Sequence, residues 1–198
     1  MKHNGYYASI LLVLFLFWSC GSSKNDMTDK TKEIQVNQLK ELVTSGSFKF
    51  KAESAHPMQT YDVMRITNSI LRNTGNTSGR ISLMGNGDHI TIENDTVHAE
   101  LAYFGERRMA FSTDPKDNGI RFEGKPDNYV VTENNKKKNL TIEFEVKSNT
   151  EQYDVVMRVY PSKRATVYIS SLNRTSIRYD GEIIRPEESE KVTNQLSQ

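Results

Sequence analysis

The sequence predicts a mainly β protein, in which one amphipathic helix precedes an antiparallel meander of about ten strands. From Ser47 to Tyr179, apolar and polar residues alternate with a period of two, which is typical of strands with one buried and one wet face. The connections at 134–138, 148–151 and 161–163 are short, so neighbouring runs should pair as antiparallel strands. A sheet of this size either closes as a barrel or splits into a sandwich, and the pattern does not choose between them.

The helix is predicted over residues 31–45. Val36, Leu39 and Val43 recur at helical spacing, and Gly46 supplies a C-terminal stop. We expect the apolar face of this helix to pack on the sheet rather than to bind a partner.

The strands are assigned to runs in which apolar residues occupy every second position. Gly85-Asn86-Gly87-Asp88 is a strong signal for a hairpin turn between two of these runs. The segment 57–79 is ambiguous, because Asp62–Thr67 is compatible with a strand whereas 73–79 is a loop. The apolar positions are Phe48, Phe50, Ala52, Ile81, Leu83, Ile90, Ile92, Val97, Ala99, Leu101, Tyr103, Ile120, Phe122, Leu140, Ile142, Phe144, Val146, Tyr153, Val155, Met157, Val159, Ala165, Val167, Ile169, Ile177 and Tyr179.

The N-terminus has the composition of a secretory signal. Lys2 precedes the apolar run 10–18, which ends at small residues. A transmembrane helix is the alternative, but it needs about 20 apolar residues and this run is shorter. We therefore predict that residues 1–19 are a signal peptide and that the protein is exported.

The single cysteine, Cys20, directly follows this segment and is flanked by Ser19 and Gly21, so that its surroundings resemble a bacterial lipobox. An unmodified cysteine in a signal that is cleaved elsewhere is the alternative. We expect Cys20 to be acylated, with chains such as palmitate, and to anchor the mature protein in a membrane. The expected location is the cell envelope, either at the periplasmic face of the outer membrane or at the cell surface.

Composition divides the remaining chain. Residues 20–31, which hold the lipidated Cys20, are small and polar and suit a flexible tether. Residues 32–184 hold the helix and the β domain, and residues 185–198 read as a mobile polar tail.

The charge balance argues against a nucleic-acid partner. The whole chain has 26 Lys and Arg against 25 Asp and Glu, and removal of Lys2 with the signal leaves 25 against 25. A nucleic-acid-binding protein normally carries an excess of basic residues, so we do not expect this chain to bind nucleic acid.

Strong catalytic signatures are missing from the sequence. It contains no Gly-x-Ser-x-Gly, His-Glu-x-x-His or Cys-x-x-Cys motif. His89 and His98 could face each other across a hairpin, but surface histidines on strands are common, and we expect no metal and no cofactor. Asp95-Thr96-Val97 fits an O-glycosylation motif, although a turn that leads into a strand is the interpretation we prefer.

Several aromatic residues are candidates for a ligand cavity, because apolar walls with a few polar groups form such sites. If the sheet closes, Tyr103, Phe104 and Tyr129 could line a cavity. Otherwise these rings fill the core, with the tyrosine hydroxyl groups hydrogen-bonded at its edge. Glu143 and Glu145 share the wet face of one strand with Lys147, so they read as solvated charges rather than as an acid/base pair.

Four short fragments resemble a family of bacterial envelope lipoproteins, domain-of-unknown-function family 4251. They are Ser45–Ala52, Ala102-Tyr103-Phe104-Gly105, Gly119–Gly124, and Asn173-Arg174 followed by Ile177–Gly181, and the resemblance runs from about Ser45 to Ile183. It implies an envelope β domain behind a lipid anchor and no assigned activity. The segment 58–78 is longer than the connection that the family usually has there.

The function expected from the sequence is that of a lipid-anchored, non-enzymatic module that binds a partner protein or a small apolar ligand. The competing class is an envelope hydrolase whose site is assembled across strands, with no catalytic residue identifiable from the sequence.

Overall fold

The computed structural model describes residues 24–59, 61–72, 75–108, 118–148 and 151–186. The chain divides into two compact units, Met1–Ile34 and Gln35–Gln198. In the first unit, the described residues 24–34 are helical. The second unit holds the sheet and every residue discussed as a candidate site except Cys20, which lies outside the described residues. Within the described part of the chain, no helix is both long and apolar enough to cross a membrane.

Helix α1 runs from Lys24 to Thr44. It begins about seven residues before the predicted start, because helix-compatible polar residues extend it beyond its apolar face. Its end at Gly46 is confirmed: the Ser45 and Gly46 amides donate to carbonyls of the last helical turn. Leu39, Leu42 and Val43 are at most 4% exposed and belong to the hydrophobic core.

The predicted fold class is confirmed: the structure has ten antiparallel strands in one curled, half-barrel sheet rather than a sandwich. The order is β5-β4-β3-β1-β10-β9-β8-β7-β6, and the short β2 pairs with β1 beside β3. Strands β3 to β5 and β6 to β10 are meanders, and β1 joins them by pairing with both β3 and β10. The strands are β1 Ser47–Pro57, β2 Ile81–Ser82, β3 His89–Glu93, β4 Thr96–Leu101, β5 Ile120–Gly124, β6 Asp127–Asn134, β7 Asn139–Lys147, β8 Gln152–Val159, β9 Arg164–Ser170 and β10 Ile177–Ile184.

The segment after β1 contains a helix, not the strand considered at 62–67. Helix α2 runs from Tyr61 to Leu71. Apolar residues at 63, 66 and 70 follow the three- and four-residue spacing of a helix, which outweighs the β-branched content of the segment.

The turn at 85–88 does not close a hairpin. Strands β2 and β3 both pair with β1, at Ser54–Ala55 and at Ser47–Lys51 respectively, and not with each other. Between these two pairings β1 has an irregularity in register, and the carbonyl of Asp88 accepts the Ala52 amide there. The chain therefore leaves the edge of β1 and returns to it.

Strand β6 was not among the predicted strands. All eight of its residues are exposed, and β6 is an edge strand of the sheet. Tyr129, Val130 and Val131 are consecutive and apolar, so the strand lacks the alternation by which the other strands are recognised.

The inward side chains fill the curled sheet. Phe122 of β5 packs edge-on against Phe144 of β7, with the ring centroids 6.4 Å apart, and it also contacts Tyr153 at 5.6 Å. These contacts bring the β5 side of the sheet near the β7 side, while β6 extends past them. We call the gap between the edge strands β5 and β6 the seam.

Candidate functional site

Tyr103 occupies a buried polar cluster at the end of the sheet where β1 and β4 finish. Its hydroxyl donates to the carbonyl oxygens of Glu106 and Thr175, both at 2.9 Å, and lies 3.0 Å from Thr175 Oγ1. A Cβ atom at Gly105 would collide with the Tyr103 hydroxyl and would lie 2.6 Å from Thr175 Oγ1. A glycine at position 105 is thus required for this close approach of two loops.

The centre of the polar cluster is an ion pair between Glu151 and Arg174. Arg174 Nε donates to Glu151 Oε2 at 2.8 Å, and the two side chains are only 5% and 8% exposed. Tyr153 and Ser171 also donate their hydroxyls to this carboxylate. The Arg174 guanidinium lies over the Tyr103 ring, 5.0 Å from its centroid.

These contacts determine the protonation of the cluster. Burial alone would raise the pKa of Glu151, but the hydrogen bonds from Ser171, Arg174 and Tyr153 outweigh burial and lower it. Burial raises the pKa of Tyr103 and of Tyr153, and both phenols remain neutral donors. The cluster is therefore a buried charge pair, with three donors on its carboxylate, that joins the loops 102–108, 148–151 and 170–176.

The three aromatic residues proposed as a cavity lining are not brought together. Tyr103 lines a surface pocket of about 370 Å³ with Asp88 and Glu100. Phe104 is 36% exposed on the loop after β4, and Tyr129 lines a different groove.

The groove at Tyr129 lies beside the seam, next to the β5–β6 connection, and we call it the seam groove. It has a volume of about 400 Å³ and lies between β6, the β3–β4 hairpin and the C-terminal end of α1. Ile92, Val97 and Val43 form its buried floor, and Tyr129 and Val131 of β6 form its exposed wall.

Tyr129 is held in place by the core beneath it. Its ring stacks on Phe144, with the centroids 6.0 Å apart and the planes 19° apart. Burial raises the pKa of Tyr129, so its hydroxyl remains a neutral polar group in an apolar wall. At the rim, Lys125 Nζ lies 3.3 Å from Asp95 Oδ2, and both side chains are mostly exposed.

The comparisons with known proteins give a family and a fold. The family described as "Domain of unknown function (DUF4251)" matches residues 30–183. The chain belongs to this family. A crystal structure of a DUF4251 family protein from Bacteroides eggerthii DSM 20697 is similar over 80% of this chain and 93% of that one, with a TM-score of 0.54 and 9% sequence identity. At that identity the likeness shows the fold alone. None of the curated proteins matches the chain.

A Ser-His-Asp cluster lies on the outer face of β1 and β10 in this DUF4251 chain. Ser54 Oγ and Asp180 Oδ2 both face His56 Nε2, at 3.2 and 3.0 Å, and His56 Nδ1 lies 2.9 Å from the Gly79 carbonyl oxygen. A hydrolytic triad needs the serine and the carboxylate on different ring nitrogens. Ser54 is also only 3% exposed, so this cluster does not have the geometry of a nucleophile and its base.

A pocket of about 440 Å³ adjoins His56 on the outer face of this DUF4251 sheet. Its walls include Met58, Val156 and Tyr168, and Arg178 adds a cation. The Arg178 guanidinium is already engaged, since its Nη2 lies 3.3 Å from Asp180 Oδ2.

The remaining candidates lie on strand surfaces. The His89 and His98 rings do face each other, with centroids 5.5 Å apart. In the described residues, no group of three or more His, Cys, Asp or Glu side chains could hold a metal ion. Glu143 is exposed, and Glu145 accepts hydrogen bonds from the side-chain amides of Asn128 and Gln152. Neither carboxylate therefore faces a second catalytic group across a cleft.

Sequence reasoning missed the Glu151–Arg174 pair and the groove wall at Val131. The two charged residues are 23 positions apart, and nothing in their neighbouring sequence indicates burial. For β6, the run Tyr129-Val130-Val131 between polar residues is the signal that could have indicated an exposed strand.

Proposed function

We propose that this DUF4251 chain is a lipid-anchored protein of the bacterial cell envelope whose β domain binds a small apolar ligand in the seam groove. The anchor rests on the sequence: a short signal segment followed directly by Cys20. The observation that carries the binding function is the groove itself. Its volume of about 400 Å³ falls within the roughly 300–1,000 Å³ typical of small-molecule sites. Most of its lining is apolar, with the Tyr129 phenol in the wall and polar residues such as Asp95 and Lys125 at the rim.

The physical argument concerns what the groove leaves uncovered. Val131 is 44% exposed and Tyr129 37% exposed, although both adjoin buried core residues. A ligand that covers them removes this apolar surface from water, which contributes about 0.8 kcal/mol for each buried methylene. About ten methylenes would contribute about 8 kcal/mol before the entropic cost of binding, so we expect an affinity no tighter than micromolar.

The experiment uses two neighbouring valines as a matched pair. Val131 lines the groove, whereas Val130 points to the other face of β6 and is similarly exposed, at 51%. The amphiphilic dye 1-anilinonaphthalene-8-sulfonate, in which aromatic rings carry one sulfonate, is titrated into the purified mature protein. We expect Val131→Asp to reduce dye binding at least fivefold and Val130→Asp to leave it unchanged. Equal dye binding by the two variants would refute the groove as the site.

The same pair of variants, Val131→Asp and Val130→Asp, is then used to identify the native ligand. The anchored wild type, V131D and V130D proteins are isolated from their native envelope, and bound small molecules are extracted and identified by mass spectrometry. A molecule retained by wild type and V130D but lost from V131D supports the proposal, and its equal recovery from both variants contradicts it.

A partner protein is the second candidate, and strand β6 favours it. An edge strand with eight exposed residues has unpaired backbone groups to which a partner strand can hydrogen-bond. A photo-crosslinking residue at position 130 distinguishes the two candidates in the native envelope. If a protein is crosslinked at position 130, and no small molecule is retained by wild type but lost from V131D, strand addition by a partner is favoured over ligand binding.

A further inference from the structure

Three loops at the end of the sheet opposite the α1–β1 connection form one continuous surface, which we call the loop face. It consists of residues 58–59, 102–108 and 171–176. Gln59 Nε2 donates to the Phe104 carbonyl at 3.4 Å, and the Met58 amide donates to the Ser176 carbonyl at 3.4 Å. The Arg108 amide donates to the Asn173 carbonyl at 2.8 Å, and beneath these bonds lies the Glu151–Arg174 pair. The loops are therefore fixed relative to one another.

Large apolar side chains project from this fixed surface into water. Leu172 is 86% exposed, Met58 64% and Phe104 36%. Single exposed apolar residues are ordinary, but one from each of three mutually bonded loops makes a group, and grouped exposure marks an interaction surface.

Helix α2 extends the loop face, since it starts two residues after Gln59. It is amphipathic, and on it Ile70 is 74% exposed and Met64 36% exposed. Arg65 is exposed on the same helix, and Arg72 is exposed one residue after its end. At about 100° per residue, Met64 lies next to Arg65 on the helix surface, whereas Ile70 lies on the far side from Arg65. A short helix with an exposed apolar residue beside an arginine is suited to lie in a membrane interface.

The charge of this region differs from that of the whole chain. Helix α2 with Arg72 after it and the loop 102–108 contain four arginines, at 65, 72, 107 and 108, against two acidic residues, at 62 and 106. The local excess is four minus two, or +2, whereas the whole chain of 198 residues carries +1. Positive charge around apolar tips complements the phosphates of an anionic lipid surface.

We propose that the loop face and α2 dock directly on an anionic lipid bilayer, with Leu172, Met58 and Met64 entering the headgroup region and the arginines facing lipid phosphates. This goes beyond the proposed function, because an acyl anchor would hold any domain near a membrane, whereas this contact sets which face of the β domain touches it. The contact does not require the anchor.

The experiment uses the mature chain, residues 20–198, with Cys20→Ser, which cannot be acylated. It is mixed with vesicles of phosphatidylcholine alone or with a third phosphatidylglycerol, and bound protein is measured by flotation. We expect at least tenfold stronger binding to the anionic vesicles, and weaker binding as salt is raised. Removing one exposed arginine, as in Arg72→Ser, should weaken binding about fivefold.

The apolar contribution is tested with matched substitutions of exposed residues. Leu172→Asp should reduce vesicle binding at least tenfold, whereas Val130→Asp, on β6, should leave it unchanged. Circular dichroism checks that both variants are folded. Equal losses in the two variants, or no vesicle binding by the Cys20→Ser chain, would overturn the inference. A protein captured through Leu172 in the absence of vesicle binding would overturn it in favour of protein docking. None of these outcomes bears on the seam groove, which is tested at Val131.

Discussion

The buried Glu151–Arg174 pair allows the most direct test of how the loops are held together. In the variant Glu151→Gln the shape of the side chain is retained but its charge is removed, so Arg174 keeps its charge at 8% exposure with no carboxylate beside it. Ser171 and Tyr153 also lose the charged acceptor to which they donate.

The expected cost is large because an uncompensated buried charge is left. Breaking such a pair from one side costs about 3–5 kcal/mol, which is a substantial fraction of the roughly 5–15 kcal/mol that stabilises a typical domain. For a chain of this size, that loss corresponds to a fall in Tm of about 6–20 °C. The double variant Glu151→Leu with Arg174→Met removes both charges, and we expect it to be more stable than Glu151→Gln.

The assay is urea unfolding followed by circular dichroism, with the free energy of unfolding compared between variants. Asp95→Asn is the control, because Asp95 pairs with Lys125 at 83% and 76% exposure and such pairs contribute at most about 1 kcal/mol. If Glu151→Gln and Asp95→Asn lower stability equally, the argument that the buried pair holds the loops is wrong.

Three further predictions concern pH, the core and the anchor. The pKa of Glu151 is lowered in the folded state, so its contribution to the free energy of unfolding should be complete above the ordinary glutamate pKa of about 4.3 and lost as the pH falls through the pKa of the folded state. In urea unfolding at a series of pH values, Glu151→Gln should therefore lose less stability than wild type on acidification. Phe144→Ala should cost about 3–5 kcal/mol in the same assay, since Phe144 is buried, whereas Glu143→Ala should be nearly silent; equal effects would mean that the faces of β7 are misassigned. Cys20→Ser should release the protein from membranes, or leave residues 1–19 uncut, as measured by fractionation and mass analysis of the N-terminal peptide; an unmodified Cys20 in soluble wild-type protein would refute the anchor.

The strands with one buried face were predictable because their environment imposes a period of two. In β7, for example, Ile142, Phe144 and Val146 are buried while Glu143 and Lys147 are exposed, as the alternation indicates. Strand β6 was not predicted because both of its faces are exposed, so its sequence is not constrained to alternate between apolar and polar residues.

The closure of the sheet and the polar cluster could not be predicted, because both depend on long-range geometry. The half-barrel is set by contacts such as Phe122 with Phe144, between strands far apart in the sheet order. Asp88 shows the same limit: its neighbours predict a hairpin turn, but in the structure its side chain accepts the amide of Ala102 and its carbonyl accepts that of Ala52.

The fragments through which the chain resembles its family maintain the fold. Tyr103 and Gly105 permit the close contact with Thr175, and Arg174 forms the buried ion pair. At Gly181 a Cβ atom would collide with the carbonyl oxygen of Lys51 on the paired strand β1. These residues specify how loops and strands meet, and their side chains are already engaged within the protein. Function resides in sites carried on a fold rather than in the fold itself. Membership of DUF4251 therefore predicts the half-barrel without predicting a shared ligand. The contacts proposed for this protein involve exposed side chains outside those fragments: Val131 in the wall of the seam groove, and Met58 and Leu172 on the loop face.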